Sequence, residues 1–136
     1  MSLRPLPVLT SLNTAFWTCG RSGQLSILRC SECGEWLHPP APICPGCMGQ
    51  NLAPQDVSGE GVIEAFTINH QAWLPEDNVP YVIAIVSLVG CPNVRLTTNI
   101  VGVATNDIRI GLPVKVVFEQ HDDVWLPMFT PHLRGD

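Results

Sequence analysis

Four cysteines in two matched pairs constrain this chain more than any other feature. They are Cys30-Ser31-Glu32-Cys33 and, after ten intervening residues, Cys44-Pro45-Gly46-Cys47. Two Cys-x-x-Cys pairs at that separation can close four thiolates around one ion as a tetrahedron. Gly34 follows the first pair, and Gly46 and Gly49 lie in and just after the second. Glycines suit positive-φ positions from which backbone N–H groups turn back toward sulfur. Tetrahedral tetrathiolate sites select zinc or iron, and zinc is the commoner ion in structural ribbons. Disulfides would need an oxidising compartment, of which the sequence bears no mark. A redox Cys-x-x-Cys would leave the second pair unexplained. The expectation is a structural zinc held by Cys30, Cys33, Cys44 and Cys47, with a tetrathiolate iron redox site as an alternative. All four positions are then filled, so no water is available for Lewis-acid hydrolysis. His38 lies between the pairs but is surplus to four thiolates. The prolines at 39, 40 and 42 make that crossing extended and rigid.

The rest of the chain divides around this ribbon. Residues 1–23 read as an N-terminal arm and helix, 24–56 as the ribbon and 57–136 as a barrel. Thr10 or Ser11 can cap a helix through Leu12, Ala15, Phe16 and Cys19, which share one apolar stripe and give way to Gly20 and Gly23. Trp17 lies off that stripe. It either packs on its own domain or anchors the helix in a partner, as Trp often does. A short strand over Gln24–Arg29 leads into the first cysteine pair.

Beyond Val57 the pattern is one of short strands and turns. Gly61–Asn69 alternates as Val62, Ala65-Phe66 and Ile68, with glycines at its start that permit a bulge. Tyr81–Leu88 is a dense β-branched run, and Val94–Val101 is its hairpin return. A turn or short helix at Thr105-Asn106-Asp107 precedes strands over Val114–Glu119 and Trp125–Phe129, with His121-Asp122-Asp123 between them as turn residues. The fold class is mainly β: a helix, a rubredoxin-like zinc ribbon, then a five-stranded barrel of OB type. Cys19 and Cys91 read as small buried apolar residues.

Enzyme motifs are missing: the sequence has no Gly-x-Ser-x-Gly, Gly-x-Gly-x-x-Gly, P-loop or His-Glu-x-x-His. The expectation is a chain without catalytic residues of its own. Hydrophobic residues make up 46% and charged residues 14%, a balance that leaves apolar surface for another protein to cover. Seven Lys and Arg against twelve Asp and Glu give a net charge of −5, with Lys115 the only lysine. That is a poor match to nucleic-acid phosphates. A single-stranded nucleic-acid binder stays open as an alternative because OB barrels with surface aromatics do that work. No segment reads as a signal peptide or membrane helix, so a cytoplasmic protein is expected, away from membranes.

One ordered set of short motifs goes further. Phe16-Trp17, Leu28-Arg29-Cys30-x-x-Cys33-Gly34, Pro39-Pro40 and Cys44-Pro45-x-Cys47 are followed by Gly59-x-Gly61-Val62-Ile63 and Pro80-Tyr81-Val82-Ile83-Ala84. Leu96-Thr97-Thr98-Asn99-Ile100-Val101-Gly102 and Ile108-Arg109-Ile110-Gly111-Leu112-Pro113-Val114 complete the set. Over roughly residues 12–130 the chain resembles the acyl-CoA-associated OB-fold family, first catalogued as a domain of unknown function. The resemblance implies an accessory subunit in a hetero-oligomer with a thiolase-superfamily enzyme of lipid or steroid metabolism: a thiolase, an acyltransferase or a steroid side-chain aldolase. Such a subunit helps to form the acyl-CoA channel, while the catalytic residues belong to the larger partner. Phe16, Trp17, Trp73, Tyr81, Arg95 and Asn99 are the expected partner- or acyl-CoA-facing residues. CoA is polyanionic and this chain has few cations. Arg29, Arg95, Arg109 or Lys115 would therefore make one or two phosphate contacts at most, and the partner would supply the rest.

Overall fold

Strands β1 (Ser26–Cys30), β2 (Trp36–Leu37) and β3 (Leu52–Asp56) form a small antiparallel sheet in the order β2-β1-β3, in a computed structural model that describes residues 6–72 and 79–132. The five strands that follow close into a barrel. They are β4 (Glu60–Asn69), β5 (Tyr81–Leu88), β6 (Arg95–Ile100), β7 (Pro113–His121) and β8 (Val124–Pro131), in the order β4-β5-β6-β8-β7. A 3₁₀ turn at Thr105–Asp107 precedes β7. The helix, ribbon and OB barrel read from the sequence are therefore all present. Among the described residues, no helix is long and apolar enough to cross a membrane.

Strand β4 does carry a bulge, but past the glycines at its start where the sequence permits one. Its register against β5 slips between Ile63 and Ala65, so Glu64 is an extra residue in the ladder. Gly61 and Ile63 are buried before this bulge, and Phe66 and Ile68 turn inward after it. A bulge reverses which parity faces the core. Gly61 is needed for another reason: a Cβ there would collide with Val86 Cγ1 and lie 2.9 Å from the Ser87 carbonyl. On β5 and β6 the alternation is regular, and Val82, Ala84, Val86 and Leu88 line the core beside Leu96 and Ile100 of the neighbouring strand, Val82 in register with Ile100 and Val86 with Leu96. The interior also takes Leu25 and Ile27 from the ribbon, so ribbon and barrel share one core.

The last strand is apolar on both faces. Phe129 points into the barrel, while Val124, Leu126 and Met128 form an outer cluster with Leu6, Leu9, Val101 and Trp17. Two-sided burial accounts for the apolar residues on either side of Pro127 in Trp125–Phe129.

The helix, α1, is shorter than its stripe implies. It spans Thr14–Thr18 and continues as a 3₁₀ turn over Cys19–Ser22. Its own N-cap is Asn13, which makes no side-chain cap bond, and Thr10 caps only the turn that leads into it: Thr10 Oγ1 accepts the Asn13 N–H at 3.2 Å, and Asn13 Oδ1 accepts the Thr10 N–H at 2.7 Å. This reciprocal pair is a capping box with Asn in place of Glu. Gly20 does not stop the helix. A Cβ on it would come within 2.6 Å of Phe118 and Trp125, so it lets the helical segment lie against the barrel. The stop is Gly23, with φ +76°. Only Phe16 of the stripe is fully buried, with Cys19 half-buried, whereas Leu12 and Ala15 stay exposed.

Candidate metal centre and adjoining clefts

Two turns of the ribbon repeat the same backbone pattern. In the first, the Gly34 N–H donates to the Cys30 carbonyl at 3.0 Å and the Cys30 N–H donates to the Glu35 carbonyl at 2.8 Å. In the second, the Met48 N–H donates to the Cys44 carbonyl at 2.8 Å and the Cys44 N–H to the Gly49 carbonyl at 2.9 Å. Position four after each leading cysteine is left-handed, with φ +78° at Gly34 and +64° at Met48. The glycine expectation thus holds for Gly34 and needs correcting in the second turn. There Met48 takes the left-handed position, and neither Gly46 nor Gly49 is among the residues with positive φ. Gly49 is required for space: a Cβ would meet Glu32 Oε2 and come within 3.2 Å of Cys47 Sγ.

These turns bring all four sulfurs within 4.8 Å of one another. Cys30 and Cys47 Sγ lie 3.6 Å apart, and Cys33 and Cys44 Sγ 3.5 Å apart. A tetrahedron with metal–sulfur bonds of about 2.3 Å has edges of about 3.8 Å, so the donor set fits one tetrathiolate ion. Cys30 and Cys44 are buried with Leu37 at the ribbon's core, and Cys33 and Cys47 face outward. The N–H of Cys33 pulls the Cys30 thiol down to about 7 against the effect of burial, and the Glu32 N–H assists. At Cys47 the Gly49 N–H acts the same way. The hydrogen bond with Cys30, burial, and the neighbours Cys33 and Cys44 outweigh it and push that thiol up to about 12. Thiols this close resist ionising together, and a bound cation removes that repulsion.

Two clefts adjoin the ribbon. One, of about 300 Å³, lies between α1 and the ribbon and is walled by Leu12, Ala15 and Phe16 on one side and by Leu28, His38, Pro40, Ala41 and Pro42 on the other. The other, of about 190 Å³, runs between β6 and β8 under Phe16, Trp17 and His38, with Leu96–Asn99 and Leu126–Met128 as walls. Those two strands pair only at Ile100 and Phe129. At Thr98 the join is a side-chain bond, Oγ1 donating to the Pro127 carbonyl at 2.8 Å. Among the described residues, no Asp, Glu, Lys or Arg lines either cleft.

Phe16, Trp17 and Asn99 therefore meet at the second cleft. Trp17 stands edge-on to Phe16, centroids 4.9 Å apart, and packs on both the barrel core and the outer cluster. It packs on its own domain. Asn99 Nδ2 donates to the Val82 carbonyl at 2.9 Å. Arg95 stands apart, paired with Glu64 on the outer face, and this pairing lowers the Glu64 pKa. Tyr81 opens β5 opposite Asn69 and lines neither cleft. Trp73 lies outside the described residues.

The residue that sequence reasoning undervalued is His38, weighed there only as a metal ligand. Its ring sits on Phe16 with centroids 4.6 Å apart and lines both clefts. Cys91 is buried in the core, and burial raises its thiol pKa and that of half-buried Cys19, in keeping with small apolar roles.

Residues 17–53 match the family model for the ChsH2 rubredoxin-like zinc ribbon domain, and residues 54–119 match the model for the ChsH2 C-terminal OB-fold domain. The chain is 34% identical, over 96% of its length, to a probable enoyl-CoA hydratase alpha subunit of Thermomonospora curvata, and it spans 40% of that protein. It is 35% identical, over 68% of its length, to a DUF35 domain-containing scaffold protein of Methanothermobacter thermautotrophicus, of which it spans 69%. Among solved structures, a chain of the Ltp2-ChsH2(DUF35) aldolase superposes with a TM-score of 0.85 at 31% identity, covering 94% of this chain and 100% of that one. A Sulfolobus solfataricus DUF35 protein of unknown function shares the fold, with a TM-score of 0.65 at 15% identity. Ribbon and barrel match in the same order and together, and the chain belongs to the DUF35 family in its ChsH2 form, a rubredoxin-like zinc ribbon followed by an OB-fold.

Proposed function

We propose that this chain is an accessory subunit, without catalytic residues of its own, of a thiolase-like enzyme acting on acyl-CoA. The observation that carries the reading is the full-length likeness to the chain from the Ltp2-ChsH2(DUF35) aldolase. The four cysteines hold a structural zinc that keeps the ribbon folded against α1 and the barrel. The clefts, which no charged residue lines among those described, suit the pantetheine and acyl portions of the substrate better than its phosphates. Among the described cations, Arg21 lies over Trp125, Arg29 over Trp36, and Arg95 pairs with Glu64. Arg109 and Lys115 are exposed and can each meet a phosphate. The partner supplies the remaining charge.

Two surface histidines are engaged in pairs, His121 with Glu119 and His132 with Glu60, which speaks for structural roles. A single-stranded nucleic-acid reading would need cations free along the β4–β6 face, and Arg95 there is neutralised by Glu64. A hydratase partner is the second reading, favoured by the likeness to a hydratase alpha subunit.

Affinity capture of the tagged chain from its source cells, with partners identified by mass, tests the proposal. A thiolase-like protein whose acyl-CoA activity falls without this chain is the expected result. Full partner activity in its absence would refute the reading, and a hydratase in the pull-down would select the second. Metal analysis of the same sample should give zinc, and a coloured, iron-containing protein would overturn the zinc assignment.

A further inference from the structure

Phe16 and His38 form the partition between the two clefts, since their contacting rings, tilted at 44°, line both. The larger cleft, about 300 Å³, reaches the lower end of small-molecule sites. His38 differs from the two paired histidines, His121 and His132. No hydrogen bond or ion pair joins it to any other described residue. Among the described residues no side-chain nitrogen is sealed from solvent without a partner, so the His38 ring nitrogens are solvent-accessible on a residue that lines both clefts. Burial lowers its pKa, which keeps the imidazole neutral at physiological pH, with one N–H donor and one acceptor nitrogen.

We infer that His38 is a binding residue whose imidazole hydrogen-bonds an amide or thioester carbonyl of an elongated, uncharged chain lying in the clefts beside Phe16. The surroundings select that chemistry. A carboxylate or phosphate would be desolvated with no cation among the described residues lining either cleft, at a cost a neutral carbonyl avoids. An alkane would leave the His38 nitrogens desolvated and unpaired. The ligand that meets both conditions is the pantetheine arm, an aliphatic chain interrupted by amides. This step rests on the acyl-CoA reading above and assigns one part of the substrate to this chain.

The test is a titration of the full-length, zinc-loaded chain with pantetheine, following the His38 ring and the Trp17 indole by NMR. Saturable shifts of both are expected. His38→Phe keeps an aromatic ring against Phe16 and removes both nitrogens, and it should weaken binding about five- to ten-fold, the scale of one hydrogen bond. His38→Gln, which retains a donor and an acceptor, should restore part of the loss. The inference is overturned if the folded wild type shows no His38 shift up to the solubility of pantetheine. Equal binding by His38→Phe would also overturn it, as would 1-octanol, which has no carbonyl, shifting His38 as strongly. The accessory-subunit reading fails separately, through a capture that recovers no enzyme.

Discussion

Gly34 and Met48 occupy the same place in the two metal turns, yet one is the residue suited to a left-handed backbone and the other is not. For an ordinary residue that conformation costs roughly 1–2 kcal/mol. At Gly34 an added Cβ would have Arg29 Nη2 as its neighbour at 3.5 Å, an ordinary contact, so the penalty of Gly34→Ala is conformational rather than steric. Set against the chain entropy that alanine saves, the net loss should be about 1 kcal/mol. Met48 is 72% exposed, so Met48→Gly removes little buried surface. Its relief of strain, less about 0.5–1 kcal/mol for glycine's extra chain entropy, should leave a net gain of about 0.5–1 kcal/mol.

Because metal binding and ribbon folding are coupled, both changes should appear in metal affinity. Gly34→Ala should release zinc about five-fold more readily to a competing chromophoric chelator, and Met48→Gly should hold it about two- to five-fold more tightly. The measurement is a chelator titration of the full chain at one fixed pH. Unchanged affinity in Gly34→Ala would refute the reasoning, because it would mean that the left-handed turn is not what poises the sulfurs. Looser binding by Met48→Gly would do the same for the second turn.

Cys47→Ser should lose the metal and melt the ribbon, since coupled binding in such small units is worth about 10–16 kcal/mol. Undiminished zinc per chain would show that the ligand set is wrong. Gly61→Ala drives a Cβ into Val86 and the Ser87 carbonyl. It should lower barrel stability by about 1–3 kcal/mol in a urea titration, and an unshifted midpoint would mean that the close approach is not rigid. Burial holds the His38 pKa below its unfolded value near 6.5, so the unfolded chain binds the proton first as pH falls. Any stability tied to neutral His38 is therefore whole above about pH 6.5 and erodes below it. Wild type should lose more in melting temperature between about pH 7.5 and pH 5.5 than His38→Gln, in which that titration is absent. Acid loss of metal is common to both chains, so equal losses would place His38 in open solvent.

The parts of the fold written in local pattern were readable from the sequence. The cysteine spacing specified the metal turns, and the β-branched run at 81–88 specified the strand that spans the barrel. Where reading faltered, two demands fell on one residue. Gly20 looks like a helix stop because nothing local tells of Phe118 and Trp125, about a hundred residues away, pressing on it. Met48 stands where the pattern asks for glycine, and only the hydrogen bonds that repeat those of Gly34 show the position for what it is. Glu64 gives no local sign that it is the bulge, because a bulge is a relation to the partner strand. The same holds for the clefts. Phe16, Trp17 and Asn99 could be named as a set through resemblance, but His38 could not, because its meeting with Phe16 depends on how the ribbon docks.

That docking also accounts for the position of the clefts. A helix of five residues is far too short to persist in water on its own. It is held by Phe16 and Trp17, which reach the shared core and the outer face of β8, and by Gly20, which lets the backbone close on β7 and β8. Those anchors lie toward one end and one side, so Leu12 and Ala15 remain unburied and face the proline-rich crossing across a gap. The crossing is stiffened by three prolines and tethered at both ends by the cysteine turns, and it resists collapsing into that gap. In the same way β6 and β8, paired at one point only, leave a seam that Trp17 roofs without filling. Both clefts thus arise where three rigid bodies meet and none can deform to close the space, and the metal keeps one of those bodies rigid. On this view metal removal should abolish the pantetheine shifts at His38 while leaving the barrel's interior resonances in place. Loss of both together would mean that the barrel, too, depends on the ion.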